Sequence, residues 1–141
     1  MIRNTMVIVA VAWIAAAASS SVHAGQAWLC SVASAVAVDE DGTVGPPELG
    51  ERERPTFFRL DVEKKELTLL APESRRGEVT KLDSVRELDG QHVFSGLENG
   101  RAVSAIVTAD GRMTLSIAAD GVVWSVFGHA LAEERSTGRD P

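Results

Sequence analysis

Four turn dipeptides divide the second half of the chain into segments of strand length. Asp89-Gly90, Asn99-Gly100, Asp110-Gly111 and Asp120-Gly121 follow one another at intervals of 10, 11 and 10 residues. Asp-Gly and Asn-Gly both suit two-residue type I′ turns, because the two central residues of such a turn need a positive φ. The segments between them are rich in β-branched and other apolar residues, as strands are. The spacing therefore predicts an antiparallel meander over residues 91–129.

Two-residue turns fix which residues face each other, so they also predict the two faces of the meander. One row on the predicted apolar face consists of Val93, Ile106, Leu115 and Val126. The next row on that face consists of Ser95, Ser104, Ile117 and Trp124. The opposite face includes His92 and Phe127 and carries no charge, which is unusual for a sheet face in contact with water. We therefore expect the rest of the chain, a second copy or a ligand to cover part of it.

The first half of the chain contains further strand patterns. Residues 56–62 alternate in polarity, with Phe58, Leu60 and Val62 on the apolar side. After a polar turn, residues 66–70 return with two leucines inward, and residues 78–82 form a short strand. Residues 28–38 are also predicted as a strand, although their alanines permit a helix. The residues of one parity in that segment are Trp28, Cys30, Val32, Val36 and Val38.

Residues 83–88 do not fit the predicted meander. A two-residue turn at Asp89-Gly90 would place Arg86 in the apolar row beside Val93. A bulge, a longer turn or an edge position would each resolve this conflict. The expected fold is all-β, a small up-and-down barrel or a sandwich of about seven or eight strands, since closure hides strand edges that otherwise invite aggregation.

This layout resembles that of small exported eight-stranded barrels, including periplasmic lysozyme inhibitors. Those inhibitors use a disulfide and a Tyr-bearing loop motif, whereas this chain has one Cys and no Tyr. The resemblance therefore covers the layout of the strands and leaves the target open.

The first 24 residues have the three parts of a secretory signal peptide. Arg3 is followed by an apolar run over residues 6–18, and Val22-His23-Ala24 offers small residues before a cut. The run is too short for a membrane span, which needs about 20 apolar residues. We expect a periplasmic or secreted protein with one β domain over residues 25–130. Strand character is lost after His129, so residues 131–141 are predicted to form a flexible tail.

The net charge and the cysteine content limit the classes of partner that this protein can bind. The net charge of −6 argues against nucleic acid or an anionic membrane surface, because both select an excess of Lys and Arg. Cys30 is the only cysteine, so an intramolecular disulfide is impossible and the thiol is either a buried apolar group or pairs with another chain. Only His92 and His129 remain after signal cleavage, and both fall on the uncharged face. No catalytic cluster, metal site or cofactor is expected.

The sequence favours an exported binding or inhibitory module that recognises a protein or a small apolar ligand. The candidate ligand-binding residues are Ser95, Ser104, Trp124, Trp28, His92 and Phe127. The alternative is a structural or assembly protein of the cell envelope that dimerises through the uncharged sheet face or Cys30. A hydrolase that uses His92 is a third hypothesis.

Overall fold

The computed structural model describes residues 26–47 and 56–133. The predicted signal peptide and the last eight residues of the predicted tail lie outside this range. The described chain forms a single curled, half-barrel sheet in which every pairing is antiparallel, so the all-β prediction is confirmed. Within the described ranges no helix is long and apolar enough to cross a membrane.

The sheet contains ten strands, more than the seven or eight predicted. The first five are β1 (Ala27–Val38), β2 (Val44–Gly45), β3 (Phe57–Asp61), β4 (Glu66–Ala71) and β5 (Val79–Lys81). The other five are β6 (Ser84–Leu88), β7 (Gln91–Glu98), β8 (Arg101–Val107), β9 (Arg112–Ala119) and β10 (Val122–Glu133). A 3₁₀ helix at Glu73–Arg75 joins β4 to β5. The additional strands are the two-residue β2, which pairs with β1, and the separate β6.

The order across the sheet is β5-β4-β3-β1-β10-β9-β8-β7-β6. Its two edge strands, β5 and β6, are consecutive in the chain and are separated only by Leu82 and Asp83. The chain therefore passes from one edge of the curled sheet to the other within two residues. This link brings the two edges together and gives the sheet an inner and an outer side.

Hydrogen bonds hold the link against β7. The Asp83 amide donates to the Ser95 carbonyl at 2.8 Å, and the Asp83 carboxylate accepts from the Leu97 amide at 2.9 Å. The Lys81 amide donates to the Glu98 carboxylate at 3.2 Å. Two carboxylates thus supply acceptors that a neighbouring strand would supply in a regular ladder.

Three of the four predicted two-residue turns are confirmed. Asp89, Asn99 and Asp120 have φ values of 51°, 50° and 49°, and the glycine that follows each of them also has a positive φ. This pair of left-handed residues is the conformation that a type I′ turn requires. The register between β7 and β8 is as predicted, with Glu98 opposite Arg101.

The prediction of a two-residue turn at Asp110-Gly111 is wrong. Only Gly111 has a positive φ there, of 82°, and the loop spans residues 109–111. The Gly111 amide donates to the Thr108 carbonyl at 3.0 Å, as in a type I turn that ends in a left-handed glycine. The Thr108 hydroxyl also accepts from the Arg112 amide at 3.0 Å. The extra residue shifts the pairing of β8 with β9 by one position.

This shift exchanges the two faces of β7 and β8 relative to the prediction. Ile106 pairs with Thr114 rather than Leu115, and it lies on the outer side with 38% of its surface exposed. Ser95 and Ser104 also face outward, so the predicted apolar face is wrong for β7 and β8. The inner residues of these strands are His92, Phe94, Val103, Ala105 and Val107. Arg86 does pair with Val93, but on the outer side, so the conflict in β6 disappears.

Two further expectations change in β1 and β10. A bulge in β1 between Val32 and Ser34 reverses the alternation, so Val36 and Val38 leave the face that Trp28, Cys30 and Val32 share. Strand β10 continues through Glu133, beyond His129, because its last residues pair with the start of β1. The inward alternation of β3 and β4 is confirmed, since Phe58, Leu60 and Leu67 are buried.

Candidate functional site

The six residues predicted to bind a ligand are divided between the two sides of the sheet. Ser95, Ser104 and Phe127 lie on the outer side, where Phe127 is 45% exposed. Trp28 and His92 lie on the inner side, and their rings are 5.2 Å apart. Trp124 pairs with Ile117 and shares the inner side with it, in a half-buried position. From this set the structure brings together Trp28 and His92 on the inner side, and Ser95 and Ser104 as cross-strand partners on the outer side.

The interior of the curled sheet has a packed end and a hollow end. The packed end lies near the β6–β7 and β8–β9 turns. Its least exposed side chains belong to Cys30, Leu60, Phe94, Val107 and Met113. These residues come from five strands that face one another across the curled sheet, so large and small side chains fill the space between them.

His92 is the polar centre of the packed end. It is 5% exposed, and its Nε2 atom lies 3.5 Å from Oε2 of Glu87 across the β6–β7 hairpin. Glu87 and His92 are cross-strand partners because Asp89-Gly90 is a two-residue turn. Phe94 stacks on the far side of the imidazole with the ring centres 6.5 Å apart. The buried imidazole is enclosed by aromatic rings and one carboxylate, which is an arrangement that holds a side chain in place.

His129 does not join His92. It pairs with Arg112 on the outer side of the sheet and is exposed, so the expectation that both histidines share a face is wrong. Within the described residues no group of three or more His, Cys, Asp or Glu side chains is placed to hold a metal ion. His92 and Glu87 thus stand as a pair within an apolar interior.

The hollow end contains a cavity of about 560 Å³. Its walls are apolar side chains from six of the strands. They include Val32, Phe58, Leu67, Leu69, Val103, Leu115, Ile117 and Val126. The mouth is polar and is formed by the 3₁₀ helix, the start of β5 and the β7–β8 turn. The mouth residues include Ser74, Arg75, Glu78, Glu98, Asn99 and Arg101.

Ion pairs order the mouth of the cavity. The Arg75 guanidinium binds the Glu78 carboxylate through two nitrogens, with Nη2 2.6 Å and Nε 3.1 Å from Oε2. This hydrogen bonding lowers the pKa of Glu78 and raises the pKa of Arg75, and the charge of Arg101 lowers the pKa of Glu78 further. The two guanidinium groups and the carboxylates of Glu78 and Glu98 balance in charge. The mouth therefore carries no net charge while all four are ionised.

Cys30 offers no accessible nucleophile. Its side chain is fully buried, and burial raises the pKa of the thiol from 9.0 to about 12. A thiol needs access and a thiolate to react, and this one has neither. Pairing of Cys30 with another chain would require the core to open, so the buried apolar interpretation of this residue is confirmed.

A two-residue turn at Asp110-Gly111 places Val103 on the side opposite Leu115 and Ile117, so the predicted register does not bring these cavity-lining residues together. With a three-residue loop the rows of the inner side are apolar except for His92. The three rows are His92-Val107-Met113, Phe94-Ala105-Leu115-Val126 and Gly96-Val103-Ile117-Trp124. Thr108, which binds the Arg112 amide through its hydroxyl, is the local sequence signal for the longer loop.

The structure thus contains a concave and mainly apolar cavity whose charged side chains lie at its mouth. Comparisons of the chain with protein-family models, with curated proteins and with solved structures found no match.

Proposed function

We propose that this protein is a small exported receptor that binds an uncharged, mainly apolar ligand in the cavity at the hollow end of the sheet. The observation that carries the proposal is the cavity of about 560 Å³, with apolar walls and charged side chains only at its mouth. Small-molecule sites typically have volumes of about 300–1,000 Å³ and mostly apolar walls with a few polar groups. The cavity has the size and the lining that such a site needs.

The contrast between the two ends of the interior supports a binding role. At the packed end, Phe94, Met113 and Leu60 are almost completely buried. Val103 and Val126 at the hollow end are smaller than Phe94 and Met113, and they leave space that larger residues would fill. Unfilled apolar space lowers stability, because its lining loses packing contacts. A ligand that occupies the space would restore those contacts and stabilise the folded chain.

The mouth supports a ligand without formal charge. Arg75 and Glu78 already neutralise each other. Arg101 is the cross-strand partner of Glu98, and its positive charge lowers the pKa of Glu78. An anionic group would have to compete with Glu78 for the guanidinium groups. A neutral hydroxyl or amide group can instead hydrogen-bond to Asn99 or Ser74 without disturbing the ion pairs.

The closure of the sheet into a barrel and the export of the protein are part of the proposed function. We propose an eight-stranded up-and-down barrel, in which β5, the Leu82-Asp83 link and β6 count as one bent strand and β2 is an appendage of β1. A barrel of this strand number has room for one small ligand. Residues 1–24 would direct the protein out of the cytoplasm as a cleaved signal peptide. The mature chain would then act as a binding protein without catalysis.

The test is recovery of the natural ligand. The mature protein is purified from its native source without detergent and denatured, and the released small molecules are identified by mass spectrometry. An Ile117→Trp variant, whose indole enters the cavity, serves as the control. We expect one class of apolar molecule with the wild type and none with the variant. An empty wild-type protein that also fails to bind an apolar probe would overturn the proposal.

A further inference from the structure

The outer side of β7, β8, β9 and β10 carries three rows of side chains without a charged group. The central row consists of Ser95, Ser104, Ser116 and Ser125. The row nearer the packed end consists of Val93, Ile106, Thr114 and Phe127. The row nearer the mouth consists of Leu97, Ala102, Ala118 and Val123. We call this surface the outer serine face.

The outer serine face exposes large apolar side chains on both sides of its central row. Leu97 is 69% exposed, Phe127 is 45% exposed and Val123 is 40% exposed. Ile106 belongs to the same patch and is 38% exposed. Single exposed apolar residues are ordinary, but a contiguous patch on one side of a sheet marks an interaction surface. The serines between them are short, so another surface can approach the backbone of the sheet closely.

We propose that the outer serine face binds a second copy of this chain in a two-fold symmetric dimer. The first argument is electrostatic. The chain carries a net charge of −6, so two copies repel each other over most of their surfaces. The twelve residues of the outer serine face add nothing to this repulsion, because none of them is charged.

The second argument is the fit of the face to itself. A two-fold axis along the serine row places Ser104 opposite Ser104 of the second copy and exchanges the two outer rows. Phe127 then meets Val123, and Ile106 meets Ala102, because each pair lies on one strand at equal distances from the serine row. Bulky side chains thus meet smaller ones at both contacts. Two sheets that pack face to face need this alternation to interdigitate.

The size of the face indicates a weak dimer. Four strands spaced about 4.8 Å apart and three rows about 6.8 Å apart cover roughly 400 Å² in projection. A stable standard interface buries about 800 Å² on each partner. We therefore infer an association that depends on protein concentration, in contrast to an obligate dimer. This inference is independent of the cavity, which opens on the inner side of the sheet.

The test uses opposite charges at the symmetry axis. Ser104→Glu and Ser104→Lys variants are each studied by sedimentation velocity over increasing concentration and then as an equimolar mixture. We expect the wild type to shift from monomer to dimer with rising concentration. Each variant alone should have a dissociation constant at least about tenfold higher, because like charges face each other. The mixture should recover dimerisation as a heterodimer.

A Ser74→Glu variant adds the same charge at the mouth of the cavity, where Ser74 is exposed, and should dimerise as the wild type does. Circular dichroism of each variant confirms that it is folded. A wild-type chain that stays monomeric at every concentration would overturn the proposal and would indicate that other residues of the chain or another protein cover the face. Failure of the mixture to associate would overturn the proposed axis.

Discussion

The backbone of Leu82 crosses so close to Gly96 that a Cβ atom on Gly96 would lie 2.8 Å from the Leu82 Cα. The same Cβ would lie 2.8 Å from the carbonyl oxygen of Lys81. Gly96 is therefore the point at which the link between β5 and β6 packs against the backbone of β7. A side chain at this position would push the two edges of the curled sheet apart.

The first prediction concerns this contact. Gly96→Ala should lower the free energy of unfolding by about 1–3 kcal/mol, the usual cost of forcing extra atoms into a packed site. Urea unfolding measures the change. Gly45→Ala is the matched control, because a Cβ there meets nothing within 4 Å and the φ of Gly45 is not positive. A Gly96→Ala variant as stable as Gly45→Ala would show that the link does not press on β7.

The second prediction separates backbone conformation from crowding. A Cβ on Gly100 also meets nothing within 4 Å, but Gly100 has a φ of 75°. Gly100→Ala should cost about 1–2 kcal/mol, because only the left-handed conformation penalises the added methyl group. The same urea measurement checks this value. Equal stability of Gly100→Ala and Gly45→Ala would contradict the type I′ turn.

The third prediction tests the three-residue loop between β8 and β9. Deletion of Ala109 should abolish cooperative thermal unfolding, because a two-residue turn would force the side chains of β8 or β9 to exchange faces. Ala109→Gly keeps the loop length and serves as the control, and we expect it to unfold cooperatively. A deletion variant with a normal unfolding transition would be evidence for the two-residue register.

The fourth prediction concerns the buried thiol. Native protein should react with a thiol reagent only as fast as it unfolds, because Cys30 is fully buried and its pKa is raised to about 12. Since the unfolded thiol ionises near pH 9.0, the unfolded state loses its proton first and stability should fall from pH 9.0 toward about 12. The chain has no Tyr to titrate in this range. Immediate reaction of native protein would contradict the buried position.

The fifth prediction concerns the charge of the mouth. Glu78→Gln should leave the affinity for the neutral probe N-phenylnaphthylamine unchanged and raise the affinity for the anion anilinonaphthalene sulfonate, because the mouth becomes positive. The pKa of Glu78 is lowered from 4.5, so its negative charge is fully present above pH 4.5. This charge is lost as the pH falls through the lower pKa that Glu78 has in the folded protein. Only at a pH low enough to protonate Glu78 should the wild type bind the anionic probe, relative to the neutral probe, as well as Glu78→Gln does.

Glu73→Gln is the control for the mouth. Glu73 lies next to the mouth on the same 3₁₀ helix and pairs with Arg76, with Nη1 and Oε2 3.4 Å apart. Its removal changes the net charge equally without changing the residues that line the cavity. If both variants alter the binding of the anionic probe equally, the effect comes from the net charge of the chain and the described mouth is not responsible.

Local signals in the sequence predicted most of the strands. Asn99-Gly100 and Asp120-Gly121 specify their turns because few other residue pairs adopt two consecutive positive φ values. The alternation of Phe58 and Leu60 likewise identified the inner side of β3. In each case the physical cause lies within a few residues, so a single segment is enough to reveal it.

The cavity depended on information that is not local. One extra residue in the loop at Asp110-Gly111 moved Ile106 to the outer side and left Leu115 on the inner side. The bulge after Val32 had a similar effect in β1, and Gly128 makes it possible, since a Cβ there would lie 1.9 Å from the Ser31 carbonyl oxygen. The packing of several strands against one another decides such one-residue shifts of register. The sequence of a single segment therefore does not reveal them.

The most direct measurement of the central claim is a fluorescence titration of three proteins with N-phenylnaphthylamine. Wild type is compared with Ile117→Trp, which fills the cavity, and with Ile106→Trp, which makes the same substitution on the outer side of the neighbouring strand. We expect saturable binding by the wild type and by Ile106→Trp, and loss of binding by Ile117→Trp. Absence of saturable binding to the wild type, or equal binding by both tryptophan variants, would contradict the claim that the cavity is a ligand site.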